Sequence, residues 1–147
     1  MDKQDLITGM YQYGRNQALN LRAQAAMLTD TQVVEAESFI PEWREGPQTL
    51  GALVRRQEMD QVYRVLQAHD STGNPSWTPE NTPALFSVCH TTDPEQAKPW
   101  APPQGTSGMY QKDECYRDGN GTVWQQTYEG GNVYDAATLP ERWQQVR

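Results

Sequence analysis

Two cysteines, two histidines and nineteen acidic residues are the side chains of this 147-residue chain whose types suit metal, thiol or acid–base chemistry. Structural zinc needs four converging ligands. Cys89 and Cys115 form no Cys-x-x-Cys pair, and only His69 and His90 are available to complete a set. Cys89 and His90 are adjacent, and adjacent side chains rarely converge on one ion, so no metal is expected. A Cys89–Cys115 disulfide stays open as an alternative to Cys115 as a small buried hydrophobe. Glycoside hydrolysis requires two carboxylates facing each other across a cleft, whereas the acids here are scattered among turn-rich segments. Neither histidine has a serine in a strained turn beside it, as Ser-His-Asp chemistry would demand. No glycine-rich phosphate loop precedes a helix. The expectation is a protein that is not an enzyme, with no catalytic residue and no cofactor.

The aromatic residues carry more information, because their order occurs twice. Pro41-Glu42-Trp43 is followed by Val54, Tyr63 and Pro83-Ala84-Leu85-Phe86. Lys98-Pro99-Trp100 is followed by Cys115, Trp124 and Pro140-Glu141-Arg142-Trp143. Val54 to Tyr63 is a step of nine residues, as is Cys115 to Trp124, and each closing aromatic lies three residues past a proline. A recurring order of this kind predicts one small unit used twice. Trp43, Tyr63 and Phe86 in the first copy, and Trp100, Trp124 and Trp143 in the second, are read as its structural aromatic core.

The elements that would position these rings follow from pattern and punctuation. Over 1–28, Leu6, Ile7, Met10, Ala18, Leu21, Ala25 and Leu28 recur at helical steps. This helix either docks on its own chain or self-associates as a stalk, a trimer being one form, although its heptad is imperfect. Asp30 or Thr31 caps a short second helix that Pro41 terminates. Strands are predicted at 51–56, 61–69 and 85–88, with a turn at 57–60. In the second copy they fall at 115–117, 122–128 and 143–146, around the turn Asp118-Gly119-Asn120-Gly121. The fold class is therefore α+β: an N-terminal helix followed by two small three-stranded antiparallel β modules. The domains are 1–38 (helical attachment), 39–90 (first module), 91–98 (a polar linker) and 99–147 (second module).

These residues resemble a known family. Pro-x-Trp, a hairpin, the run Val62-Tyr63-Arg64-Val65-Leu66-Gln67-Ala68-His69, then Trp77-Thr78-Pro79 and Pro83-Ala84-Leu85-Phe86 resemble the chitin-binding type 3 fold, also called carbohydrate-binding module family 5/12. More specifically, the chain resembles tandem-module proteins encoded among bacteriophage and prophage tail genes. The second copy departs from the pattern at Cys115, at 118–121 and at Gly130-Gly131-Asn132-Val133-Tyr134. The resemblance implies sugar binding through flat aromatic faces, since the apolar face of a pyranose stacks on an indole or phenol ring. Rings outside the repeated frame are the binding candidates it suggests: Trp77 first, then Tyr110, Tyr128 and Tyr134, with His69 as a hydroxyl partner.

The implied function is a non-catalytic virion protein, a tail or fibre appendage contacting host-surface glycans. The alternative is a purely structural component making protein–protein contacts in the virion without sugar binding. Expected partners are copies of this chain through the N-terminal helix, other virion proteins and cell-surface polysaccharide. A formal charge of −7 argues against nucleic acid and against an anionic membrane surface. No apolar run is long enough to span a bilayer, and no basic-then-apolar leader marks a secretory signal. The expected location is the virion, after synthesis in the host cytoplasm.

Overall fold

The computed structural model describes residues 28–147. The helix predicted over 1–28, and any stalk or trimer built from it, lie outside the described residues except for Leu28. A short helix α1 (Asp30–Glu35) follows, capped by Thr29 rather than by Asp30 or Thr31. The Thr29 Oγ1 accepts from Gln32 N at 3.2 Å, and the Gln32 side chain accepts from Thr29 N at 3.0 Å. This reciprocal capping box satisfies two donors that a helix end leaves free. Val33 and Val34 are fully buried, each contributing roughly 1.5–3 kcal/mol of apolar burial.

α1 covers one face of the first sheet. Strands β2 (Leu53–Arg56), β3 (Gln61–Val65) and β5 (Phe86–Val88) form it in the order β2-β3-β5, all antiparallel. Strand alternation then divides the side chains. Leu53, Val62 and the adjoining Cys89 pack with Val33, Val34, Ala36 and Ile40 beneath α1. Val54, Tyr63, Val65 and Phe86 point the other way, packed by the half-buried Trp43. A separate two-stranded ribbon joins β1 (Pro47–Gln48) to β4 (His69–Asp70). The strand expected to run to His69 is thus broken at Val65, and its end pairs elsewhere.

The second sheet has four strands in the order β6-β7-β8-β9: β6 (Lys98–Pro99), β7 (Cys115–Arg117), β8 (Val123–Gln126) and β9 (Trp143–Gln145). β6 runs parallel to β7, and the remaining pairs are antiparallel. Tyr116, Trp124 and Trp143 share one face with Trp100, Tyr110 and Ala136. Cys115 and Val123 lie on the other with Ala97 and Val146.

The α+β expectation is overturned. Among the described residues the only α-helix is α1, six residues long, and strands, short 3-10 turns and loops make up the rest. The sheets are two-, three- and four-stranded, the last of mixed direction, rather than a pair of three-stranded antiparallel modules. The repeated spacing also conceals a register difference. Tyr63 pairs with Val54, but Trp124 pairs with Tyr116, so Cys115 points to the opposite face from Trp124. Because side chains alternate, a one-residue change in hairpin length turns the neighbouring residue to the other side.

Residues 91–98 join the two sheets instead of spacing them apart. Thr91 bridges to Cys115, Cys115 N donates to Thr91 O at 2.8 Å, and Lys98 opens β6. The buried Lys98 ammonium pairs with Glu37 and with Asp60 Oδ1 at 2.8 Å, and Arg117 reaches Asp60 Oδ2 at 3.2 Å. Asp60 sits in the β2–β3 turn with φ 53, the left-handed region that Asp tolerates better than most. Gln61 Nε2 adds a bond to Pro99 O at 2.8 Å. Cys89 and Cys115 are both buried free thiols, so the disulfide alternative does not hold.

Candidate functional site

The aromatic face of the second sheet carries an open concave feature built on packed rings. Its rings are fixed from behind by a stack of three. His90 lies 3.7 Å from Tyr110 at an interplanar angle of 16°, and Tyr110 lies 4.8 Å from Trp100 at 7°. Tyr116 and Trp143 meet edge to face at 4.9 Å and 89°, and Trp100 meets Tyr116 at 4.8 Å and 65°. Such offset and T-shaped pairs are worth about 0.5–1.5 kcal/mol each beyond burial. Polar ends are tied down as well. The Tyr110 hydroxyl accepts from Ala101 N at 3.0 Å, the Tyr116 hydroxyl from Ala136 N at 2.9 Å, and the Trp143 indole donates to Tyr134 O at 2.9 Å.

In front of this stack the face opens into a hollow of about 690 Å³. Trp100, Tyr116 and Trp124 line it, with Asp118 and Gly119 on one side and Asp135 and Ala136 on another. Trp100 and Trp124 are half-buried, so each keeps some ring surface available. Asp118 organises the β7–β8 turn: Oδ1 accepts from Asn120 N at 2.8 Å and Thr122 N at 3.0 Å, while Oδ2 accepts from the Trp124 indole at 2.9 Å. The indole bond, followed by the two backbone bonds, holds its carboxyl below the ordinary range. Among the described residues the hollow therefore has rigid π surfaces, carboxylate acceptors at the rim and one cation, Arg117, already bonded to Asp60 and Ala97. Aromatic platforms with a few polar groups at fixed positions are the composition of a site for a small amphipathic ligand.

The residues singled out from sequence are placed differently from one another. Trp77 is 38% exposed in the turn after Asn74, Tyr134 is 50% exposed beyond Asn132, and Tyr128 is 42% exposed. One Tyr128 face is taken by the Arg142 guanidinium, 3.8 Å from the ring centre, a cation–π contact. Tyr110 is not on a surface: it is 1% exposed as the middle ring of the stack, which withdraws its faces from solvent. His69 is half-buried, its Nδ1–H donating to Gln67 O at 2.7 Å and its ring edge-on to Phe86 at 5.4 Å. Trp77, Tyr128 and Tyr134 do not line the hollow.

Of the rings assigned to the core, Tyr63, Phe86 and Trp143 are buried, while Trp43, Trp100 and Trp124 are only partly so. Trp100 and Trp124 thus build the hollow that sequence reasoning passed over. A usable signal was present: Asp118-Gly119 lies six residues before Trp124, at the length where a turn carboxylate can reach an indole N–H.

Among the described residues no group of three or more His, Cys, Asp and Glu side chains is placed to hold a metal. No helix among them is long and apolar enough to cross a membrane. No protein-family model matches the chain, and no curated protein matches it.

Proposed function

We propose that this chain is a non-catalytic glycan-binding protein, and that the hollow of Trp100, Tyr116 and Trp124 is its sugar subsite. The observation that supports this most is the pairing of the Trp124 indole with Asp118 at 2.9 Å at the edge of an open aromatic recess. A pyranose presents C–H groups to an indole face and hydroxyls around its rim, and the recess offers matching partners. Exposed Trp77 and Tyr134 add separate rings outside it.

The resemblance to tandem carbohydrate-binding modules of phage and prophage tail proteins extends the proposal to a place on a virion, facing host-surface polysaccharide. Weak binding at single subsites would be raised by repetition along the chain and across any oligomer, without new contacts. A glycan array followed by calorimetry on the full chain tests the reading. A neutral polysaccharide fragment is expected to bind, with Trp124→Ala weakening it at least about tenfold. Absence of binding to every glycan on the array by an intact, folded chain removes the proposal.

One observation favours the second reading, a structural component of the virion that binds no sugar. Leu50 and Leu66 are 55% and 45% exposed, and the bond from Gly51 N to Val65 O at 2.9 Å sets their segments side by side, which places two apolar side chains where an assembly contact could cover them. Under that reading Leu50→Asp and Leu66→Asp impair particle assembly, while Trp124→Ala does not.

A further inference from the structure

We infer that the groove between the two sheets is a second binding site, and that it takes a neutral sugar ring. The inference rests on the glycan-binding reading, and apart from Trp100 it uses different residues from the hollow above. The groove encloses about 350 Å³, near the lower end of small-ligand sites and suited to one or two rings. Tyr63, Phe86 and Val88 of the first sheet form one wall, and the 100–108 segment of the second module, beginning with Trp100, forms the other. The second wall is bonded in place: Gln104 Nε2 donates to Glu80 O at 3.0 Å and Ser107 Oγ to Pro83 O at 3.3 Å.

Two properties separate this groove from a simple apolar seam. Gln61 lines it, is 4% exposed, and uses its Nε2 on Pro99 O, but its Oε1 is buried with no hydrogen-bond partner among the described residues. An unpaired buried acceptor is costly, and each one in a native fold calls for an explanation. That oxygen is closed off within the fold, so a ligand hydroxyl that reaches it supplies the partner it lacks. Met59, unbranched and 39% exposed, is the pliable member of the lining that can yield to admit it.

The second property is charge. Among the described residues no Lys, Arg or His lines the groove, and the one acid there, Glu80, is held in a two-pronged pair with Arg56 at 2.7 and 2.8 Å. An anionic ligand would find no counter-charge there, and a cationic one would have to compete with Arg56. Tyr63 supplies a donor: burial, with the nearby Glu80 carboxylate, pushes its phenol up to about 12, so it stays protonated at neutral pH. Aromatic and aliphatic walls, an unpaired acceptor and a phenol donor fit a ring with apolar faces and equatorial hydroxyls.

The test uses the full chain labelled with nitrogen-15 and a set of neutral di- to tetrasaccharides of hexoses and N-acetylhexosamines. The expected result is a concentration-dependent shift of the Gln61 side-chain amide that persists in Trp124→Ala. Tyr63→Phe keeps the ring but removes the donor, and is expected to weaken that shift's apparent affinity about fivefold while the melting temperature changes little. Shifts at the Trp124 indole without any at Gln61 overturn the groove and leave the proposed function standing. Shifts at neither position overturn both. A proline-rich peptide that moves the Gln61 resonance where no sugar does also overturns the inference, in favour of a protein-docking groove.

Discussion

The Lys98 ammonium, at the head of the second sheet, lies 2.8 Å from the Asp60 carboxylate in the first sheet's hairpin turn. Lys98 is 6% exposed and also pairs with Glu37, so one cation draws together α1's trailing turn, the β2–β3 turn and β6. Removing one member of such a cluster leaves the others incompletely paired. Lys98→Met is expected to lower stability by about 2 kcal/mol, less than for a fully buried pair because both acids are partly solvated. Urea denaturation followed by tryptophan fluorescence checks it. The Lys98→Met/Asp60→Asn double variant should recover part of the loss.

Glu114 gives the pH dependence. Burial, opposed by a bond from Gln111 N and assisted by Asp30, pushes its carboxyl up to about 7. A folded value above the unfolded value of 4.5 means that the ionised form is penalised in the folded state. That penalty is fully present above about pH 7, eases as pH falls through 7 and vanishes below about 4.5. Glu114→Gln, which retains an oxygen for Gln111 N, is therefore expected to stabilise by about 1–2 kcal/mol at pH 8, after discounting for partial exposure, and by nothing at pH 4. Melting curves of both proteins across that range decide it.

Gly108 passes close to the edge of the first sheet. A β-carbon there would sit 3.2 Å from Val88 Cγ1, and its φ of 78° lies in the region that favours glycine. Its carbonyl also accepts from His90 Nε2 at 2.8 Å. Gly108→Ala should cost about 1–2 kcal/mol through backbone strain and crowding together. Thermal unfolding measures the loss, and a neutral result would mean the loop re-seats freely.

The thiols should be silent. Burial pushes the Cys115 thiol up to about 12 and raises that of Cys89 further. Because the thiolate is the reactive form, an aromatic disulfide reagent at pH 8 should label neither in the folded protein and both in guanidinium chloride. Rapid labelling under native conditions would show that the Thr91–Cys115 seam opens.

Sequence legibility followed the range of the interactions. The turn at 57–60 and the Asp118-Gly119 turn were readable because their chemistry is local. The shortened β3 was not: the run from Gln61 to His69 keeps its alternation, but Val65 is the last residue with a partner in that sheet, and Leu66 faces solvent. Residues 91–98 read as a polar spacer because Thr91 and Lys98 are polar. Their partners, Cys115, Glu37 and Asp60, lie 24 to 61 positions away and give the sequence no mark. Equal spacing made Cys115 look equivalent to Val54, since a count of residues carries no record of which side of a sheet each one faces. Trp100 and Trp124 were assigned to the interior by their recurrence, but recurrence fixes a position in a sheet, and only the covering loops decide how much of the ring is closed over.

Trp100 belongs to the lining of both concavities, the recess on the second sheet and the cleft between the sheets. With Tyr110 stacked against its ring, what remains of the indole surface is shared between the two. On the proposed function, a guest pressing on it from one chamber would restrict the same indole that the other chamber needs, so the two proposed sites would be linked through a single ring.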